Sequence, residues 1–395
     1  MKRVIVLGSD GFIGWSLTKY LCERGDSVLG IDNTIRRSLV LKTKGDSILP
    51  ITNVYKREKL LRDQGNDFTF QYGDLTKSYV IRNAIKTFEP EVIVHLGEIP
   101  SAPYSMMGVE EAGFVQTNNI LSTLNLLFAV KEINSDIKII KLGTMGQYQI
   151  GNIPISEGWI DIEYKGRKET VPFPKVPGSM YHISKNQDTL NIEFACRVWG
   201  LNCTDINQGV VFGVHIDCEL TQPEFFTRLD ADSIWGTAIN RFCSQAVIEH
   251  PITVYGSGGQ KRGFLPLRDS VRCITLLIDN PTNGYRIVNQ LADIYQVSQL
   301  AIVVKKIAAE FGLDVKINNY ENPRFESEDH FYEVERNVLN NLGYKSSIGL
   351  EDEIRNVICA LLPYKERIKL LEHVLVPDIF WSGENKKSNI LGENS

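Results

Sequence analysis

The sequence has no apolar run near the ~20 residues that a membrane-spanning helix requires, so no membrane partner is expected. Its seven cysteines (Cys22, Cys196, Cys203, Cys218, Cys243, Cys273 and Cys359) include no C-x-x-C pair. Zinc ligation and dithiol redox chemistry are therefore not expected, and no metal site is foreseen. The odd count and mostly apolar contexts read as buried free thiols. Excess positive charge is also missing. Forty-three Lys and Arg face 48 Asp and Glu, a net charge of −5, so no bulk basic surface calls for nucleic acid. There is no internal repeat. The apolar run Val4–Leu7 starts so close to Met1 that no leader is expected, and the cytoplasm is the expected compartment.

What is present is an ordinary globular composition: 395 residues, 43% hydrophobic and 23% charged. Short runs rich in Val and Ile recur at Val4–Leu7, Val28–Ile31, Phe68–Tyr72, Val92–Leu96, Ile137–Leu142 and Leu201–Ile206. Amphipathic stretches such as Gly14–Arg24 and Asn118–Ile133 lie between them. This alternation predicts βαβ units and a parallel sheet. Two connections are too long for simple crossovers, Asn33–Asp67 and Gln147–Val176. In the second, Ile160, Ile162 and Tyr164 alternate with charges before Lys165-Gly166-Arg167, which predicts an inserted hairpin. After Asn207 the pattern is less regular. Strands are expected at Ile252–Tyr255 and Tyr285–Asn289, and a helix ending near Phe311 with Ser298 as its N-cap. The closing segment 383–395 has little apolar content and is expected to be flexible.

The first strand runs into Gly8-Ser9-Asp10-Gly11-Phe12-Ile13-Gly14, a G-x-x-G-x-x-G pattern. Such glycines permit a tight turn, close approach of a pyrophosphate and helix–strand packing, with the phosphates at a helix N-terminus. Asp32 follows about 20 residues on, suited to accept from a ribose 2′-hydroxyl and to repel a 2′-phosphate. NAD is thus the expected cofactor, with Arg36 and Arg37 close behind as the feature that could favour NADP. Asp74 could accept from an adenine amino group or cap the next helix.

Further on, Thr144 sits at the polar end of a strand, and Tyr181 and Lys185 are four apart, on one helix face. A tyrosine with a normal pKa of about 10 is a poor base, and a nearby ammonium makes it a better one. Glycine loop, Thr, Tyr and Lys together resemble the extended short-chain dehydrogenase/reductases. That resemblance implies an α/β fold: a Rossmann-type doubly wound parallel sheet with a smaller C-terminal substrate-binding α/β lobe. The expected boundaries are 1–206 for the NAD-binding domain, carrying the hairpin at about 147–176. The sugar-nucleotide lobe spans 207–382, with about 244–290 partly returning to the first domain.

The resemblance narrows further. Ser101-Ala102-Pro103-Tyr104-Ser105-Met106, Leu142-Gly143-Thr144-Met145-Gly146, Asn207-Gln208-Gly209 and Asn322-Pro323-Arg324 are similar to strings of the UDP-sulfoquinovose synthase family. It implies UDP-glucose and sulfite as substrates, NAD as a retained cofactor and a homodimer or assembly of dimers. The implied cofactor contacts are Gly8, Asp10, Gly11, Phe12, Ile13, Gly14, Asp32, Asn33, Arg36, Asp74, Leu75, Asn119, Tyr181 and Lys185. The implied substrate contacts are Ser101, Met145, Asn207, Gln208, Thr237, Asn240, Val254, Arg262 and Arg324. Arg268 is expected to be structural. Sugar-nucleotide 4,6-dehydratases place an Asp-Glu pair directly after the Thr; here Met145-Gly146 stands there. His182 and Glu98 are therefore candidates for proton transfer or sulfite binding, against structural roles for both. The family's plastid members carry Gln-Arg where this chain has Ile99-Pro100. The competing expectations are a UDP-hexose 4-epimerase and a non-catalytic NAD-binding sensor or scaffold.

Overall fold

The computed structural model describes residues 1–148, 152–214, 222–324, 331–382 and 389–391. The first half supplies strands β1 (Arg3–Leu7), β2 (Ser27–Asp32), β3 (Phe68–Tyr72), β4 (Val92–His95) and β5 (Lys138–Leu142). Helices α1 (Phe12–Glu23), α2 (Ile35–Lys42), α3 (Val54–Asp63), α4 (Ser78–Phe88), α5 (Ala102–Ser105) and α6 (Val109–Ile133) connect them. Strands β6 (Trp159–Tyr164) and β7 (Arg167–Pro172) form an antiparallel hairpin turning at Lys165 and Gly166, both with positive φ. Helix α7 (Met180–Trp199) and strand β8 (Asn202–Gln208) follow.

β1, β2, β3, β4, β5, β8 and a later strand, β12, form one parallel sheet in the order β12-β8-β5-β4-β1-β2-β3. Before it come β9 (Val210–Phe212), α8 (Ala238–Val247), β10 (Ile252–Tyr255), β11 (Lys261–Pro266) and α9 (Leu267–Asp279). β12 itself is Tyr285–Gln290, and β13 (Asp293–Gln296), α10 (Val297–Glu310) and β14 (Ile317–Tyr320) follow. Helices α11 (Asn337–Asn341), α12 (Leu350–Leu361) and α13 (Lys365–Leu370) close the chain.

Helices cover both faces of the large sheet, and its strands are accordingly almost continuously buried. The strand order reverses between β1 and β4, which opens a crevice at their carboxyl ends. The loops after these two strands touch: a Cβ on Gly8 would lie 2.6 Å from the Gly97 amide nitrogen. A second core packs α8, α10 and α12 around β10 and β11, with Phe242, Val304 and Ile358 among its fully buried members. It carries the pair β10-β14 and the three strands β13-β11-β9.

Helix α10 starts two positions earlier than expected. Gln296, not Ser298, is its cap, because Gln296 and Gln299 exchange side-chain and backbone hydrogen bonds reciprocally. The charged stretch Asn33–Asp67 contains α2 and α3, which the sequence pattern did not reveal. Arg268 does have a structural partner, Glu353, with Nε 3.1 Å from Oε2. Of the closing segment, Asn389–Leu391 pairs with β14 through Ile390 and Tyr320. No helix among the described residues is long and apolar enough to cross a membrane.

Candidate active site

A cleft of about 650 Å³ runs from the glycine loop to the second core. At its first end the loop must lie close to its neighbours. A Cβ on Gly14 would lie 2.0 Å from the Gly8 carbonyl oxygen, and Gly8 itself has φ +84°. Asp32 ends β2 and accepts from the Asp10 amide (3.0 Å) and the Thr34 amide (2.6 Å). Burial first, and the Asp10 charge second, push its carboxyl up to about 6, so it is ionised at neutral pH. The cradle that tolerates only glycine and the carboxylate at the end of β2 fit a dinucleotide with a free ribose 2′-hydroxyl.

The two arginines that could have greeted a 2′-phosphate are both engaged. Arg37 grips Asp10 with two bonds, 2.6 and 2.7 Å, and Arg57 adds a third at 2.9 Å. Arg36 bonds Asp230 at 2.7 Å and stacks on Trp235, 4.0 Å from the ring centroid. Gly11, Phe12, Ile13, Asn33 and Leu75 line this end as expected. Asp74 does not. It accepts from the Thr76 amide and hydroxyl, and it does not cap α4, whose N-cap is Lys77. Asn119 is also turned away. It is fully buried and bonds Ile99 and Ser184, while its neighbour Asn118 lines the cleft.

Mid-cleft, α7 brings Tyr181, His182 and Lys185 against Thr144. Ser179 caps the helix by accepting from the His182 amide, and its hydroxyl lies 3.0 Å from His182 Nδ1. The Lys185 Nζ sits 5.7 Å over the Tyr181 ring centroid. It bonds the Leu142 carbonyl at 2.6 Å and makes a close contact with Glu98. Burial raises the Tyr181 hydroxyl to about 12; the Lys141 charge and a hydrogen bond with Thr144 act in the opposite sense. Burial lowers the Lys185 ammonium to about 8. His182 is lowered to about 3 by burial and by the charges of Arg324 and Arg262, so its imidazole is neutral. Its Nε2 fills the space beside Gly146, where a Cβ would come within 2.2 Å.

Glu98 does line the cleft, yet it is 8% exposed and locked between Lys185 and Lys141, with Lys141 Nζ at 3.0 Å. Its contacts are those of a residue that holds lysines in place.

The far end is rich in arginine: Arg228, Arg241, Arg262 and Arg324 all line the cleft. Arg228 is committed to Asp230 by two bonds of 2.9 and 3.0 Å. Ser101, Met145, Gln208, Thr237 and Asn240 line the cleft as expected, and the buried Thr237 hydroxyl has no partner among the described residues. Two expectations fail here. Asn207 is fully buried and bonds Gln147, Tyr148 and Asn289, which keeps it in the network beneath the site. Val254 belongs to the second core, and its neighbour Tyr255 reaches the cleft instead. The sequence reading missed Arg228, Arg241, Tyr332 and Trp381. Arg241 lies in an α8 helix whose residues from Ile239 to Val247 are all buried. An arginine set among Ile239, Phe242 and Cys243 was the available signal.

The profile of the NAD dependent epimerase/dehydratase family matches residues 4–290. The chain is 39% identical over 383 residues to the chloroplastic UDP-sulfoquinovose synthase of Spinacia oleracea, covering 96% of this chain and 79% of that one. It is 40% identical to the UDP-sulfoquinovose synthase of Sulfolobus acidocaldarius, covering 96% and 97%. The chain belongs to the NAD dependent epimerase/dehydratase family, among its UDP-sulfoquinovose synthases. The fold agrees with that of the UDP-glucose 4-epimerase of Bifidobacterium longum, solved with NAD+ and UDP: TM-score 0.68, 18% identity, 90% of this chain and 97% of that one. The family is NAD dependent, and the cofactor is NAD.

Proposed function

We propose that this protein converts UDP-glucose and sulfite into UDP-sulfoquinovose. The observation that carries this reading is the middle of the cleft. Thr144, Tyr181 and Lys185 meet there, while Gly146 leaves room for His182 where a dehydratase-type acid pair would otherwise stand.

When bound, NAD would supply the hydride acceptor for sugar C4 and the donor for its later reduction. Tyr181 takes the proton of the 4-hydroxyl, and Thr144 holds that hydroxyl in line. Lys185 supports the phenolate and holds the cofactor ribose. The 4-ketone acidifies the hydrogen at C5. Loss of that proton and of the 6-hydroxyl, as water, leaves a 5,6-ene conjugated with the ketone. Sulfite adds through sulfur at C6, and C5 regains a proton. Tyr181 then returns its proton as C4 is reduced. His182, beside the reacting region, is the group proposed to move protons at C5 and C6; the Arg324 and Arg262 charges that help to lower it are the ones a bound pyrophosphate would neutralise, which would restore basicity. Arg262 and Arg324 hold the pyrophosphate, with Arg241 and Thr237 beside them.

The direct test is mass spectrometry of the products formed from UDP-glucose and sulfite. A sulfonated nucleotide sugar is expected. UDP-galactose as the sole product would replace this reading with a 4-epimerase.

The proposed assembly is a dimer built on α6 and α7. Leu190, Phe194 and Val198 recur every four residues on α7, and Phe114, Leu121 and Phe128 every seven on α6; all six are more than a third exposed. These stripes suit a four-helix bundle with a second copy. Replacing both Leu190 and Phe194 by Glu is expected to yield monomers in analytical ultracentrifugation; an unchanged dimer would point to another face. Among the described residues, six buried or partly buried free thiols are in keeping with a reducing cytoplasm.

A further inference from the structure

Behind Tyr181 lies a compact group of buried charges from several elements. β5 contributes Lys141, the loop after β4 contributes Glu98, and α7 contributes Lys185 and Asp188. β8 adds Asp205, and the segment before α7 adds Lys175. Lys141 Nζ lies 2.7 Å from Asp188 Oδ2 and 3.0 Å from Glu98 Oε1. Glu98 also accepts from Thr123 at 3.2 Å and meets Lys185 through its other oxygen. Asp205 accepts from Thr189 at 2.7 Å and Tyr285 at 3.4 Å. His95, beside Glu98 and Ser122, is held neutral by burial and by Lys141 and Lys185. The group is balanced, three ammonium groups to three carboxylates.

Of this group the chemistry proposed above uses only Lys185, and Lys141 is the cation that joins the two carboxylates Glu98 and Asp188. It is 1% exposed near the carboxyl end of β5, an interior strand of the sheet, a placement that costs stability unless both charges it meets are well paired. We propose that Lys141 is a positioning residue for Tyr181. It keeps Glu98 and Asp188 neutralised, so that Lys185 can leave Glu98 for the cofactor and the phenolate can form beside two carboxylates. The logic is electrostatic. Asp188 opposes a phenolate at Tyr181, whereas the Lys141 charge favours one. If Lys185 turned from Glu98 without Lys141 present, Glu98 and Asp188 would both be bare carboxylates near the base. With Lys141 between them, Glu98 retains Lys141 and Thr123.

This inference rests on Tyr181 acting as the base at C4, but it can be tested without turnover. The tyrosinate absorbance near 295 nm of the NAD+-loaded enzyme is titrated, and the same variant carrying Tyr181→Phe is subtracted. Lys141→Met is expected to raise the Tyr181 midpoint by about one pH unit, and Asp188→Asn to lower it; the double variant should lie near the parent. Reduction of bound NAD+ by UDP-glucose should then fall about tenfold in Lys141→Met at neutral pH and recover as pH rises. An unmoved midpoint with a lower rate would make Lys141 merely structural and overturn the proposal. If Lys141→Met fails to fold, the uncharged pair Lys141→Met/Asp188→Asn is compared with Asp188→Asn alone. A midpoint about one unit higher in the pair is expected, and equal midpoints would refute the idea. A parent enzyme that shows the titration but no reduction by UDP-glucose would refute the proposed substrate and leave the titration to decide on Lys141.

Discussion

Tyr181→Phe is expected to slow NAD+ reduction by UDP-glucose by about 10²–10⁴-fold, the usual worth of a positioned acid–base group. The variant should keep its cofactor and its fold. The start of α7 is fixed independently of the hydroxyl, by the Ser179 cap and by the Tyr181 amide donating to Ser105 Oγ at 3.0 Å. The aromatic ring still packs against the cluster of Tyr104, Val115 and Trp235. The hydroxyl's hydrogen bond with Thr144 lies within the site and not in the core. The check is the 340 nm transient after mixing with UDP-glucose, alongside the NAD content of the purified protein. A rate unchanged within a factor of two would remove Tyr181 from the chemistry.

The second large effect is expected from Gly146→Ala. Nothing in the backbone forbids the alanine, since Gly146 is not among the positive-φ glycines. The added methyl would meet His182 Nε2 at 2.2 Å, so the imidazole must swing away. A shift of about 1 Å in a reacting group costs roughly a hundredfold. The loss should fall on the steps at C5 and C6, with hydride transfer at C4 largely retained. UDP-glucose would still reduce the bound NAD+, while the yield of sulfonated product in sulfite drops about a hundredfold. His182→Ala should give the same split. Equal losses in both steps would instead mean that the substitution disturbs Thr144, whose hydroxyl accepts from the Gly146 amide at 3.1 Å.

Much of the first domain was legible because parallel strands buried on both faces write themselves as runs of Val and Ile. Phe68–Tyr72 was placed to the residue, and β1, β2, β4 and β5 within one. Helices α2 and α3 were hidden because α2 carries three basic residues, α3 carries charges of both signs, and each buries only a few residues. The site errors share a form. Asn119, Asn207 and Val254 were each expected in the cleft, and in each case an adjacent residue, Asn118, Gln208 or Tyr255, lines it. One step along a strand turns the side chain to the opposite face, and one step along a helix turns it by about 100°. A motif fixes the neighbourhood more firmly than the facing. The Lys141–Glu98–Asp188 group was illegible for another reason. Glu98 and Asp188 lie 43 and 47 residues from Lys141, and Lys141 and Asp188 each read alone as a surface charge.

Helix α7 carries its chemistry and its apolar stripe on one continuous body. Tyr181 and Val198 are 17 residues apart, about 26 Å along the axis at 1.5 Å per residue. A helix of that length transmits tilt, so the angle at which its outer stripe is seated sets where the Tyr181 oxygen sits. Where a second copy seats that stripe, it also fixes the tilt, so the Leu190→Glu/Phe194→Glu monomer should lose rate at Tyr181 as well as its partner.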